Sequence, residues 1–156
     1  MELNTKGRYA VMALADIEKF GGALAVPLSQ VTERQQLSLA YLEQIFIRLR
    51  KAGLVESARG RLGGYRLARR AGDITVVEIM QAVEEETRMT RCHDGKGGCL
   101  GEERCLTHSL WHRLGEHIAA FLAGVTLQDV LDGLPGRSGA HEVAASAGMP
   151  LQGARP

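Results

Sequence analysis

Apolar residues recur at helical spacing along most of this chain. Tyr9, Met12, Ala13, Ile17 and Phe20 form one stripe after a possible cap at Asn4 or Thr5, and Gly21-Gly22 closes the segment, which predicts a first helix ending near Phe20. Pro27 then opens a short helix, about Leu28 to Gln35, with Leu28 and Val31 inward. Ser38 caps the next one, where Leu42, Ile45, Phe46 and Leu49 follow the i, i+3, i+4, i+7 rule and Gly53 stops the run. Val55–Ala58 and Gly64–Leu67 then read as two short strands joined by Arg59-Gly60-Arg61-Leu62-Gly63. Thr75 with Glu78 forms a capping box that starts a helix to about Glu84. A longer helix from about Thr107 to Ala123 carries Leu110, Leu114, Ile118, Phe121 and Leu122 on one face, and Thr126 caps a last short helix through Leu131. From Gly133 onward Gly, Ala, Pro and Ser dominate, and a disordered tail is expected.

Charge changes the picture. Net charge is only +1, yet residues 1–70 hold 12 Lys/Arg against 6 Asp/Glu, while residues 71–156 hold 7 against 12. The first half suits a polyanion and the second repels one. Two short helices followed by a basic two-stranded hairpin then read as a winged helix-turn-helix, with the helix after Ser38 in the major groove and the hairpin as wing. The exposed face of that helix holds Ser38, Ala40, Tyr41, Glu43, Gln44, Arg48 and Lys51. Gln44 suits adenine, Glu43 suits the cytosine amino group, and Arg50, Arg59 and Arg61 around Gly60 suit phosphates.

The apolar stripe at 110, 114, 118, 121 and 122 lies outside this tri-helical core and calls for a partner; the same helix of a second subunit fits, and a two-fold dimer presents two recognition helices to a palindromic site. The expected fold is mainly α with a small β-wing. A winged helix-turn-helix DNA-binding domain occupies residues 1–84, a ligand loop 85–106, a dimerisation helix with the short last helix 107–132, and a tail 133–156. No apolar run approaches membrane-spanning length and no leader pattern follows Met1, so a cytoplasmic protein with no membrane partner is expected.

All three cysteines of the chain, Cys92, Cys99 and Cys105, fall in one glycine-rich and charged stretch, with His108 after them in the spacing C-x6-C-x5-C-x2-H. Three soft thiolates and an imidazole suit zinc or an iron–sulfur cluster, and spacing alone leaves both open. A disulfide would strand an odd cysteine, and the lack of a C-x-x-C pair argues against a thiol redox enzyme.

At this point a resemblance is carried by KGRYAV (6–11), VPL (26–28), ERQ (33–35), the SL-YLEQ stretch (38–44), RLRK-GLV (48–55), RG--GGY (59–65) and the cysteine loop through CLTH-LW (91–111). Over roughly residues 1–132 the chain resembles the Rrf2 family of winged-helix regulators, and within it the branch that governs iron–sulfur cluster assembly. The resemblance implies a [2Fe-2S] cluster on Cys92, Cys99, Cys105 and His108. It also implies a homodimer on double-stranded promoter DNA whose site preference follows cluster occupancy, a role for Glu43 in telling site classes apart, and cluster-assembly scaffold proteins as the source of the cluster. It implies a regulator and not an enzyme. Zinc-stabilised DNA-binding or adaptor proteins, and nitric-oxide-sensing paralogues with other ligand sets, are the competing readings. Three departures stand out: a first cysteine gap longer by one residue, Ala40 where a hydroxyl is common, and an RGRLGGY wing.

Overall fold

The computed structural model describes residues 5–60, 63–84 and 104–134. The order is α1 (Thr5–Gly21), α2 (Leu28–Gln35), α3 (Leu39–Lys51), β1 (Val55–Ala58), β2 (Gly64–Leu67), a single 3-10 turn (Ala71–Asp73), α4 (Val76–Ala82), α5 (His108–Gly124) and α6 (Leu127–Leu131). The first helix packs against α2, α3, α4, α6 and β2, so it is the axis of the fold. Its buried face is Gly7, Ala10, Ala13, Leu14, Asp16 and Ile17, which shares Ala13 and Ile17 with the stripe expected from sequence but not Tyr9, Met12 or Phe20. Phe20 is 57% exposed, while Tyr9 and Met12 are only partly covered. The reason is steric: Gly7, Ala10 and Ala13 let neighbours approach closely, Leu14 and Ile17 fill the core between them, and Tyr9, Met12 and Phe20 lie toward the edge.

The α2–α3 pair follows its sequence pattern closely. In α3, Leu42, Ile45, Phe46 and Leu49 are buried. Phe46 is wholly covered, with the Tyr65 ring of the wing 4.8 Å away. Ser38 sits at the N-cap of α3, but its side chain makes no capping bond. Across the turn, α2 is fixed to α1 by charge. The Asp16 carboxylate, at 0% side-chain exposure, accepts from Arg34 Nε at 3.1 Å and from Gln35 Nε2 at 2.8 Å. The Arg34 guanidinium lies 4.5 Å from the Phe20 ring centroid, and the bond to Asp16 raises its already high pKa further.

The wing is an antiparallel pair in the register Val55↔Leu67 to Ala58↔Gly64, formed by the two strands expected from sequence. Its base is held by the α1–α2 connection. The Val26 N–H donates to the Tyr65 carbonyl at 2.8 Å and the Tyr65 N–H to the Val26 carbonyl at 2.9 Å. This crossing leaves no room for a side chain at Gly64, where a Cβ would stand 2.3 Å from the Val26 carbonyl carbon. At the tip Gly60 takes φ +103, a left-handed turn value.

Two reciprocal capping boxes lie side by side. Thr75 accepts from the Glu78 N–H and Thr126 from the Asp129 N–H. An isolated bridge joins them, with Val76 N–H to the Val125 carbonyl and Leu127 N–H to the Ile74 carbonyl, both at 2.8 Å. The Thr75 N–H and the Arg69 guanidinium hold the Glu78 carboxyl below the usual carboxylate range. Through this bridge Leu127, at 0% exposure, enters the main core with α1 and α4. The last short helix, grouped with α5 in the sequence analysis, therefore packs on the first.

Candidate nucleic-acid interface and cluster-ligand site

The solvent-facing side of α3, the candidate reading face, points away from the core by the same period that buries Leu42 and Leu49. Ser38, Ala40, Glu43, Gln44, Arg50 and Lys51 are exposed on it, and Arg48 flanks it half-buried. Ile47, 41% exposed, stands near the middle of that face and was not singled out from sequence. A helical projection finds it, and its apolar end suits a thymine methyl beside the polar reach of Gln44. Tyr41 is half-buried, with its ring edge-on to Tyr9 at 5.8 Å, so it joins α3 to α1 while keeping one side at the surface. At the wing, Arg59 and Gly60 are exposed; Arg61 lies outside the described residues. Arg66 is paired with Glu56 across the two strands at 2.9 Å, and among the described residues Arg59 presents charge at the tip.

The second group of candidate residues is half in view. Cys92 and Cys99 lie outside the described residues, and among those described no three His, Cys, Asp or Glu side chains gather. Cys105 and His108 stand together at the start of α5: the His108 N–H donates to the Cys105 carbonyl at 3.0 Å, and the Cys105 sulfur lies 3.5 Å from the Thr107 hydroxyl. His108 is 4% exposed and, with Asp16, one of two buried polar or charged side chains among the described residues, while Cys105 is partly covered. The His112 ring is edge-on to His108 at 6.1 Å and reaches toward Glu116. A hydroxyl bonded to sulfur and an imidazole carried on the first helical turn are a donor set that fits a thiolate-bound cluster.

Behind His108, α5 is poorly covered. Leu110 is 59% exposed, Phe121 62% and Trp111 38%, and His108 and Gly115 are its buried residues. The helix touches the rest of the chain along α4, and Leu122 packs beside Val76, Met80 and Val125. No helix among the described residues is long and apolar enough to cross a membrane.

Comparisons with known proteins agree with this arrangement. Residues 3–133 match the family described as Rrf2, iron-dependent transcriptional regulator. The HTH-type transcriptional regulator IscR of Salmonella paratyphi B is 48% identical over 154 residues, covering 95% of this chain and 93% of that protein. Among solved structures, T. potens IscR has a TM-score of 0.69 at 36% identity, over 92% of this chain and 95% of that one. CymR, the global cysteine regulator of B. subtilis, has a TM-score of 0.74 at 30% identity, over 85% of this chain and 98% of that one.

Proposed function

Since this chain belongs to the Rrf2 family, we propose that it senses a [2Fe-2S] cluster and sets promoter choice at cluster-biogenesis genes accordingly. It is a DNA-binding transcriptional regulator and not an enzyme. Cys92, Cys99, Cys105 and His108 would hold the cluster. The observation that carries this reading is the placement of Cys105 just before, and buried His108 at the start of, the helix whose apolar face is left open. When bound, the cluster supplies a labile tie whose presence depends on iron, sulfide and oxidant supply. Three thiolates and a neutral imidazole leave one proton-sensitive ligand.

The protein's own residues do the rest. His108 fixes the start of α5, and α5 in turn lies on α4, which packs against α1 and α3. A homodimer through Leu110, Leu114, Ile118 and Phe121 covers the open stripe and sets two α3 helices at the spacing of a palindrome. Gln44 and Glu43 read base edges, and Arg50, Arg59 and Arg61 hold phosphates. Scaffold proteins of cluster assembly are the natural donors of the group to the ligand loop.

The test is iron and acid-labile sulfide analysis of protein purified without oxygen. Equal iron and sulfide with visible absorbance is expected; colourless protein with bound zinc defeats the reading. Replacing Cys92, Cys99, Cys105 or His108 by alanine removes that absorbance, whereas His93→Ala, His112→Ala and His117→Ala keep it.

A further inference from the structure

An open concavity of about 530 Å³ separates the last turns of α3 from the end of α4. Gln44, Arg48 and Lys51 form one wall and Gln81 and Glu84 the other. The Glu84 carboxylate crosses it to pair with the Arg48 guanidinium. Glu84 holds a left-handed backbone, φ +57, just past the end of α4. Both partners remain open to water, with side-chain exposures of 36% for Arg48 and 76% for Glu84. A pair of that kind adds little to stability and is readily exchanged.

The local charge balance decides what the concavity attracts. Arg48 and Lys51 contribute two positive charges. The C-terminal ends of α3 and α4 contribute about half a negative charge each. With Glu84 in place the sum is about zero; without it, about one positive charge remains. Carboxylate and phosphate oxygens both accept from a guanidinium, and the Glu84 contact, Arg48 Nη1 to one carboxylate oxygen, shows that Arg48 reaches an anion in this concavity. Gln44 belongs both to this wall and to the reading face of α3, which makes the concavity continuous with the groove-facing surface.

We propose that this concavity is a seat for a backbone phosphate of duplex DNA, held by Arg48 and Lys51, and that Glu84 competes for the same place. The competition lowers affinity on every sequence, so site choice rests more heavily on Gln44 and Glu43. Glu84 immediately precedes residues 85–106, the stretch that includes Cys92, Cys99 and Cys105, so the competing carboxylate is tied to the ligand-bearing part of the chain.

The proposal rests on the DNA-binding reading, and the experiment separates the two. Binding of the full-length protein to a promoter duplex and to a random duplex is measured across a salt series. Glu84→Gln is expected to tighten binding to both duplexes and to steepen the slope of log K against log salt by about 0.9, one phosphate. Arg48→Ala added to Glu84→Gln should abolish that gain, and Lys51→Ala added to it should shrink the slope by about the same amount. Glu84 and Lys51 are exposed and Arg48 is half-exposed, and a thermal melt confirms that each variant folds. If the Glu84→Gln gain survives intact in the Arg48→Ala background, Glu84 acts as a distant charge and the seat does not exist. If neither Glu84→Gln nor Lys51→Ala moves the slope, the proposal fails while DNA binding stands. If the unaltered protein shows no salt-dependent duplex binding, the functional reading itself fails.

Discussion

When Arg34 is replaced by alanine, the Asp16 carboxylate stays behind at 0% side-chain exposure with the Gln35 amide still donating to it. Removing one partner of a buried ion pair costs about 3–5 kcal/mol, because the other charge is left in poorly solvated surroundings. Arg34 is itself 29% exposed, so its removal admits water, and the low end of that range, about 3 kcal/mol, applies. The reciprocal change is cheaper. Asp16→Ala leaves a guanidinium that can turn outward, and the loss is that of its charge-assisted hydrogen bonds, about 1.5 kcal/mol. The two variants therefore differ by about 1.5 kcal/mol although they break the same contact. Urea unfolding at one fixed protein concentration, followed by far-UV circular dichroism and by Trp111 fluorescence, measures both with unchanged slopes. The joint change Asp16→Leu with Arg34→Met should return stability to within about 1 kcal/mol of the starting protein. Equal losses for the single variants, or a larger loss for Asp16→Ala, would refute the claim that a buried carboxylate is what Arg34 compensates.

Three further outcomes are expected. Glu78→Gln should lower stability by about 1 kcal/mol at neutral pH, the usual worth of a helix cap. Because folding depresses the Glu78 pKa, its contribution is present above the ordinary value of 4.5 and is lost as pH falls through the folded one, so the gap between variant and parent should close in acid. Gln44→Ala should cost about 1–3 kcal/mol on the preferred site and little on random DNA, whereas Arg59→Ala should weaken both alike in a salt series; equal effects of Gln44→Ala on both would contradict base reading. Phe121→Asp puts a charge on the open face of α5, and sedimentation should then show a monomer that binds half-sites weakly; a persistent dimer would place the interface elsewhere.

Where a fold element depends on its own residues, the sequence was sufficient. The period of Leu42, Ile45, Phe46 and Leu49 located α3, and both wing strands and the Thr75 box fell where the pattern put them. What depended on distant partners was hidden. Nothing local says that Asp16 meets Arg34, that Val26 crosses Gly64, that Leu127 returns to the core, or that Glu84 reaches Arg48. On α1 the apolar spacing locates Ala13 and Ile17 in the core, but it does not reveal that packing on many sides also buries Gly7, Ala10 and Asp16. For the site, the cysteine spacing announced a ligand set, but zinc and iron–sulfur share those donors. The family resemblance, not the spacing, tipped the expectation toward iron–sulfur.

The bridge between Thr75 and Thr126 bears on how the protein is made and how it can be damaged. A ribosome that has released the wing and α4 has not yet supplied Leu127, and the core that seats α1 stays open until it does. The cysteine stretch and α5 are thus always synthesised before the reading head can close. A nonsense or frameshift lesion between residues 85 and 126 should leave an unstable fragment, not a regulator freed from its sensor. Constitutive alleles are then expected to arise by single substitution within an intact chain, and seldom by truncation.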